Sequence, residues 1–511
     1  MSRPVRLRQI LTTGVNHMCG ILAISGSNNA SSEVLLGLMN LQHRGQDGAG
    51  ILSLKDQGAG NRFKVYKQAG LVSLGELEES VRHLNDQFAL GHTRYATVGG
   101  DGVEMLQPFL IEKFGIGLAH NGNIVNFLDM EDELSRDSAL RLSSGRWVLS
   151  DSFMLLAQLA QTLRWRDWNS SASFDAVRLL MRKAVGSYSV VSMLENGTIF
   201  GFRDPNGIRP LFVGKREGAE RTEYGVASEP VALTYLGFKE VSEVQPGQAF
   251  VISPTGEYEE AILSEGVFKV TPCMFEWVYF SRVESEFASK SVYDARFALG
   301  IELGKRIKAM GLTADVVVPV PETSRVSAIA LAEYLDLPFR EILVKNRYVN
   351  RTFILDNQSS REEAIRRKLY PIASEFEGRR CLIVDDSIVR GNTARQITKL
   401  VRDSGAKEVT LLSACPTIKH PCYYGIDFPD IDELLAGNMN EEEIARDLGA
   451  DRVIFQNIDG LKSALGKEDL CMGCLTGTYP TDVTNATRFA AKRKLDRQTE
   501  KDNMTAARKA K

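Results

Sequence analysis

The chain has 511 residues, 62 basic against 65 acidic, with a formal net charge of −3. This length allows about three domains, the balanced charge gives no global field favouring nucleic acid or an anionic membrane, and no apolar run is long enough to span a bilayer. Seven cysteines in so long a chain do not make a disulfide scaffold; they point to a reducing compartment, read here as the cytoplasm, with thiols available for chemistry or metal.

In chain order, residues 1–17 carry Arg3, Arg6 and Arg8 and no acid, without the apolar stretch of a secretory signal. Met18-Cys19-Gly20-Ile21-Leu22 follows. Taken alone, Cys19 reads as a buried strand cysteine. If the chain begins at this residue, however, Cys19 carries both a thiol and an α-amine of pKa about 8, a nucleophile with its own general base and no need of a catalytic histidine. Up to about residue 255 the chain shows short apolar runs broken by Gly, Asn and Asp, including Ile21 to Ile24, Ile116 to Ala119, Tyr188 to Leu194 and Ile199 to Phe202, a spacing that predicts stacked sheets. Helices are predicted between them at 152–163 and 174–185. Four polar clusters punctuate this half: Leu41-Gln-His-Arg44-Gly45-Gln-Asp47, Gly91-His-Thr93-Arg94-Tyr95, His120-Asn121-Gly122 and Ser150-Asp151-Ser152.

A seam is expected between Pro254 and Lys290, after which strands and helices alternate. Asp315-Val-Val-Val-Pro-Val320 is a nearly continuous apolar run, as a parallel strand buried on both faces requires. A helix is predicted from about Ser324 to Leu335 and a strand near Ile342. Cys381-Leu-Ile-Val-Asp385-Asp386-Ser387-Ile-Val-Arg390-Gly391-Asn392-Thr393 is the most informative stretch. Its apolar strand ends in two acids, a loop with Gly and hydroxyls follows, and a helix begins whose apolar face is Ala394, Ile397, Leu400 and Val401. Backbone N–H groups at that helix start suit a phosphate, and the paired carboxylates suit sugar hydroxyls or hydrated Mg²⁺. From Asn485 onward the chain is rich in Lys, Arg and Ala and reads as a charged tail.

Val384 to Thr393 resembles the PRPP-binding loop of type I phosphoribosyltransferases, where PRPP is 5-phosphoribosyl-1-diphosphate. Cys19 and the four polar clusters together resemble the class II glutamine amidotransferases. A chain joining the two, from Cys19 to about Pro480, is identified as a member of the glutamine phosphoribosylpyrophosphate amidotransferase family. The segments Tyr279-Phe-Ser-Arg282, Pro319-Val-Pro-Glu-Thr323-Ser-Arg325, Lys345-Asn-Arg347-Tyr-Val-Asn-Arg351 and Tyr424-Gly-Ile-Asp427 add to the likeness.

The resemblance implies an α+β N-terminal nucleophile domain of αββα layering over 19–255, preceded by a leader or propeptide at 1–18. It implies an α/β type I phosphoribosyltransferase domain with a mainly parallel sheet over 256–480, then a tail at 481–511. It assigns attack on the glutamine amide to Cys19, the oxyanion site to Asn121 and Gly122, and glutamine binding to Arg94 and Asp151. It assigns PRPP to Asp385, Asp386, Ser387, Arg390, Gly391, Asn392, Thr393, Lys345 and Arg351, and Mg²⁺ to Thr323, Asp385 and Asp386. Tyr95 is expected to face an ammonia passage. Cys273, Cys422, Cys471 and Cys474 match the ligands of a [4Fe-4S] cluster that some members hold and others lack; four thiols also suit Zn²⁺, and buried free thiols are the plainer alternative.

Two departures from the family pattern fall at Asn350 and Tyr370. The implied reaction hydrolyses glutamine and passes the ammonia to C1 of PRPP, giving 5-phospho-β-D-ribosylamine, the first committed step of purine synthesis. Purine nucleotides are the implied inhibitors and a homo-oligomer, tetramer or dimer, the implied assembly. Two other readings stand beside it. An amidotransferase feeding a different synthase would lack the 385–393 loop, and a PRPP- or nucleotide-sensing regulator on the same fold would need neither Cys19 nor the acid pair.

Overall fold

The computed structural model describes residues 18–55, 62–72, 76–82, 84–94, 103–142, 145, 147–266, 268–346, 369–426, 428 and 431–487. Two antiparallel sheets stack in the first half. The seven-stranded sheet centres on Gly20–Ser25, flanked by Phe88–Arg94 and Thr222–Ala227. The six-stranded sheet centres on Gly186–Leu194, flanked by Ile116–Ile124 and Ile199–Arg203.

The period-2 pleat explains why these strands are apolar on both faces. Ile21 and Ala23 enter the core between the sheets with Ala119, Val191 and Phe250. Leu22 and Ile24 point the other way, into a layer with Val34 and Leu38 of helix Ala30–Asn40. On the outer face of the second sheet, Leu118, Phe200 and Phe202 meet helices Asp151–Leu163 and Ser170–Lys183. The result is helix, sheet, sheet, helix. Strand Tyr258–Ile262 forms a hairpin with Gln248–Ile252 in this second sheet, so the division expected at 255/256 falls within its turn.

The second half holds a four-stranded, all-parallel sheet in the order Val316–Pro319, Arg380–Asp385, Glu408–Ser413, Arg452–Phe455. Val316, Val318 and Ile383 pack against Ile397 and Val401 of helix Asn392–Asp403 on one face. Val317, Leu382 and Val384 pack against helices Val292–Ala309 and Arg325–Leu335 on the other. The strand expected near Ile342 is the short Leu343–Lys345, paired with Leu369–Pro371 outside the main sheet. Among the described residues no helix is long and apolar enough to cross a membrane.

The two halves share one core. Met18, Leu22 and Leu41 belong to the same buried cluster as Met274, Phe275 and Trp277 of the seam, and Cys415, Tyr424, Phe428 and Leu461 of the second half.

Candidate functional sites

Cys19 directly precedes strand Gly20–Ser25, and its carbonyl accepts a hydrogen bond from Arg44 Nε at 3.1 Å. Thr93 lies opposite Gly20 in the neighbouring strand, which ends at Arg94. The backbone around Gly45 presses against that end: a Cβ there would stand 2.7 Å from the Thr93 and Arg94 carbonyl carbons. The Arg94 carbonyl accepts from the Asp47 N–H at 3.0 Å. Gly20, Gly45 and Arg94 are thereby packed into one corner beside Cys19. Tyr95 lies outside the described residues.

Across the sandwich, strand Ile116–Ile124 contacts strand Gly20–Ser25 and carries His120, Asn121 and Gly122. The Asn121 side chain is buried and its Nδ2 has no partner. A desolvated, unused donor is costly to keep and is what an oxyanion site requires. Gly122 adopts φ of 143°, and a Cβ on it would lie 2.0 Å from the Ser187 carbonyl oxygen, so only glycine fits. His120 Nδ1 is 2.9 Å from Ser152 Oγ. Burial pushes the His120 pKa down despite Asp151, and holds His92 down to about 3, so both rings are neutral at pH 7. Asp151 opens helix Asp151–Leu163; its Oδ2 accepts from the Ile124 N–H at 3.2 Å. Asp151 is thus tied to the end of strand Ile116–Ile124, close to His120 (3.7 Å).

A buried ion network underlies Cys19, and no sequence motif announced it. Arg44 is fully enclosed and donates to Glu229 at 2.6 Å and to Glu276 at 2.9 and 3.1 Å. Arg209, also enclosed, reaches Glu276 at 3.4 Å. Burial alone would lower the Arg44 pKa, but the two carboxylates overcome it and raise it. Burial would likewise raise Glu229, yet His43 and Arg44 hold it well below the carboxylate range. Glu229 and Glu276 are 185 and 232 residues from Arg44, which is why only the folded chain reveals the set.

The parallel sheet delivers the second site at the carboxyl end of strand Arg380–Asp385, where ligands of open α/β sheets bind. Asp385 and Asp386 are half-buried, and desolvation pushes both above the ordinary carboxylate range; the Asp386 charge raises Asp385 further. Ser387 Oγ donates to Asp386 at 2.7 Å, and the Thr323 hydroxyl also bonds Asp386. Thr323, Asp385, Asp386 and Ser387 therefore converge.

The buried Arg296 guanidinium faces Asp386 while donating to the carbonyls of Trp277, Tyr279 and Ser281. Burial lowers its pKa to about 10, with Asp386 opposing the shift. Gly391 precedes helix Asn392–Asp403 in the left-handed region, φ 73°, with Leu435 and Leu448 walling the space a Cβ would need. Arg390 pairs with Glu433 at 3.0 Å, and Asn392 Oδ1 lies 3.4 Å from Arg395, so both already have protein partners. Thr393 and Lys345 are exposed. Arg347, Asn350 and Arg351 lie outside the described residues; Tyr370 stands half exposed, paired with Val344.

Cys273, Cys471 and Cys474 are buried in the shared core, with Cys422 packed against it, and Cys273 bridges Cys471 through the backbone. Burial pushes the Cys273 thiol up to about 11 and raises Cys471 and Cys474 as well; the cationic Arg209 works against that shift at Cys273 and Cys471. The four sulfurs of the expected set are gathered in one place. Among the described residues, however, no group of three or more His, Cys, Asp or Glu side chains has metal-holding geometry. Cys381, in strand Arg380–Asp385, and Cys415, just beyond strand Glu408–Ser413, are core residues.

A phosphoribosyl transferase domain model matches residues 290–431, and a glutamine amidotransferase domain model matches residues 92–235. The amidophosphoribosyltransferase of Pasteurella multocida is 40% identical over 91% of this chain and 94% of its own length. That of Escherichia coli is 41% identical over 88% of this chain and 89% of its own. The solved glutamine phosphoribosylpyrophosphate amidotransferase from B. subtilis, complexed with ADP and GMP, superposes with a TM-score of 0.78 at 34% identity. It covers 91% of this chain and 98% of that one.

Proposed function

The chain belongs to the amidophosphoribosyltransferase family, and on that premise we propose how its residues divide the work of making phosphoribosylamine from glutamine and PRPP. The observation that carries the reading is the presence, in one molecule whose two halves share a buried core, of a nucleophile corner at Cys19 and a strand-end acid pair at Asp385–Asp386. A nucleotide- or PRPP-sensing regulator would need neither.

Glutamine is held by its α-carboxylate on Arg94, whose planar fork matches a carboxylate, and by its α-ammonium on Asp151. The Cys19 thiol, with the α-amine as base, attacks the amide carbon. Negative charge develops on the carbonyl oxygen, where the orphan Asn121 amide and the Gly122 N–H donate to it. The C–N bond breaks, the leaving nitrogen takes the proton and departs as NH₃, and water hydrolyses the thioester to glutamate, restoring the thiol. Ammonia attacks C1 of PRPP as the C1–O bond to pyrophosphate breaks; the new C–N bond gives 5-phospho-β-D-ribosylamine after loss of a proton. Ammonium has no lone pair, so a passage sheltered from water is required.

The loop after Asp386 and the N-terminus of helix Asn392–Asp403 receive the 5′-phosphate, with the carboxylates on ribose hydroxyls. Mg²⁺ on Thr323, Asp385 and Asp386 supplies neutralisation of the pyrophosphate charge when bound. Lys345 and Arg351 assist at the diphosphate. Cys273, Cys422, Cys471 and Cys474 would be the ligands of a structural [4Fe-4S] group where one is bound, four thiols being the donors such a cluster takes. Purine nucleotides, such as the ADP and GMP bound to the B. subtilis protein, are the inhibitors of this homo-oligomeric enzyme. Because the hairpin ends at Ile262, the glutaminase domain runs to about that residue and the second domain begins after it.

The α-amine role requires that the active protein begin at Cys19, by processing or by initiation at Met18. Cys19→Ala should abolish glutamine use while retaining ammonia-dependent phosphoribosylamine synthesis; Asp386→Asn should damage both. Mass spectrometry of active enzyme should give Cys19 as the first residue. Normal glutamine consumption by Cys19→Ala, or an intact leader on fully active protein, overturns the assignment.

A further inference from the structure

The segment Tyr423-Tyr424-Gly425 lies more than 290 residues beyond the oxyanion strand in sequence yet presses directly on it. The Tyr424 carbonyl accepts from Ser187 Oγ at 2.9 Å and from Arg209 Nη2 and Nε at 2.6 and 3.2 Å. The Tyr423 carbonyl accepts from Asn123 Nδ2 at 2.8 Å. Gly425, at φ 103°, has no room for a side chain: a Cβ would stand 2.9 Å from the Gly122 carbonyl oxygen and 3.1 Å from its carbon. Gly122 is hemmed on another side by the Ser187 carbonyl oxygen, 2.0 Å from where its own Cβ would be. Two glycines in the positive-φ region thus meet backbone to backbone, with Ser187 against Gly122 and its hydroxyl on the Tyr424 carbonyl.

The far side of the segment is fixed independently. Tyr424 Oη lies 2.8 Å from Thr481 Oγ1 and accepts from the Thr481 N–H at 3.0 Å. Tyr479 Oη donates to the Pro421 carbonyl at 2.7 Å. The Cys422 N–H donates to the Phe428 carbonyl at 3.1 Å.

We propose that Tyr423–Gly425 is a positioning strut through which the phosphoribosyltransferase half sets the orientation of the Gly122 peptide in the glutaminase site. The inference rests on the oxyanion role proposed above for Gly122 and adds the group that aims it. A peptide N–H stabilises a developing oxyanion only when held within tenths of an ångström of its line, and a small misplacement costs rate rather than substrate affinity. The strut's hydrogen bonds run to Asn123, Ser187, Arg209 and Thr481. Its disturbance should therefore separate the two nitrogen sources.

The test is the full-length enzyme as Gly425→Ala and Ser187→Ala, assayed for phosphoribosylamine formation with glutamine and, separately, with ammonia. Gly425→Ala should lower kcat with glutamine by about 10- to 100-fold, within reach of losing one oxyanion donor, with KM for glutamine changed by less than about threefold. Ammonia-dependent turnover should stay at the wild-type rate. Ser187→Ala, which removes one of the three donors to Tyr424 without adding bulk, should lower glutamine kcat about threefold to tenfold, again sparing ammonia. Should Gly425→Ala fail to fold, Ser187→Ala alone decides. Equal loss with both nitrogen sources, unchanged glutamine kcat, or an effect confined to KM overturns the strut. Wild-type enzyme unable to use either source would instead sink the function itself, and that control is read first.

Discussion

At the residue scale, Glu229 gathers more than any motif residue. It is buried and accepts from His43 Nε2 and Arg44 Nη1 at 2.6 Å each, from Ser285 Oγ at 2.8 Å and from the Arg282 N–H at 2.9 Å. Because Arg44 in turn holds the Cys19 carbonyl, this carboxylate fixes the proposed nucleophile at one remove. Its folded pKa is depressed below the reference 4.5. Ionised Glu229 therefore contributes its full stability above that pH and loses it progressively as pH falls from there. Glu229→Gln should cost about 3–5 kcal/mol at neutral pH, since it leaves Arg44 short of a buried counter-charge. It should also flatten the decline of Tm between about pH 5 and pH 3. A Tm–pH profile superposable on that of the wild type would show that the carboxylate carries no such linkage.

At the element scale, the hairpin Glu286–Phe287/Lys290–Ser291 turns through Ala288 and Ser289, both left-handed at φ 46° and 57°. Side-chain-bearing residues pay a steric cost there that glycine does not. The Ala288 N–H donates to Glu243 Oε2 at 2.6 Å, and Phe287 stacks on Trp277 with ring centroids 4.0 Å apart, so the strained turn is held from both sides. Ser289 is exposed. Ser289→Gly should stabilise the protein by about 0.5–1 kcal/mol, seen as a higher urea midpoint with unchanged slope. A lower midpoint would mean that glycine's unfolded-state freedom outweighs the relieved strain.

At the scale of the whole molecule, one core spans both halves, and neither could shed the other without exposing Trp277, Phe275 and Leu22 to water. Thermal unfolding should accordingly be a single cooperative calorimetric transition; two resolved transitions would show that the halves melt independently. The cysteines sit in this shared core. Burial that raises three of their thiols makes binding of a cluster proton-releasing, and a cluster at Cys273, Cys422, Cys471 and Cys474 would staple the seam to the second half. Anaerobically purified protein should be brown and hold about four iron atoms per chain, and removing the iron should lower Tm. Colourless, iron-free protein prepared that way removes the cluster.

The sequence by itself determined the layers and where the contiguous polar motifs stand on them. The doubly buried strands were legible as unbroken apolar runs such as Val316 to Val320 and Ile21 to Ile24. The acid pair was legible because Asp385, Asp386, Gly391 and the helix start are contiguous, and the glycine at 122 because its neighbours Asn121 and His120 travel with it. The hairpin that closes at Ile262 falls inside the stretch from Pro254 to Lys290 that reads only as a seam, because its pairing with Gln248–Ile252 is decided by the edge of a sheet. The Arg44–Glu229–Glu276 set and the Tyr423–Gly425 strut belonged to tertiary structure alone. Their partners stand hundreds of residues apart, and a buried charge or a side-chain-free glycine contact is specified by what folding brings against it.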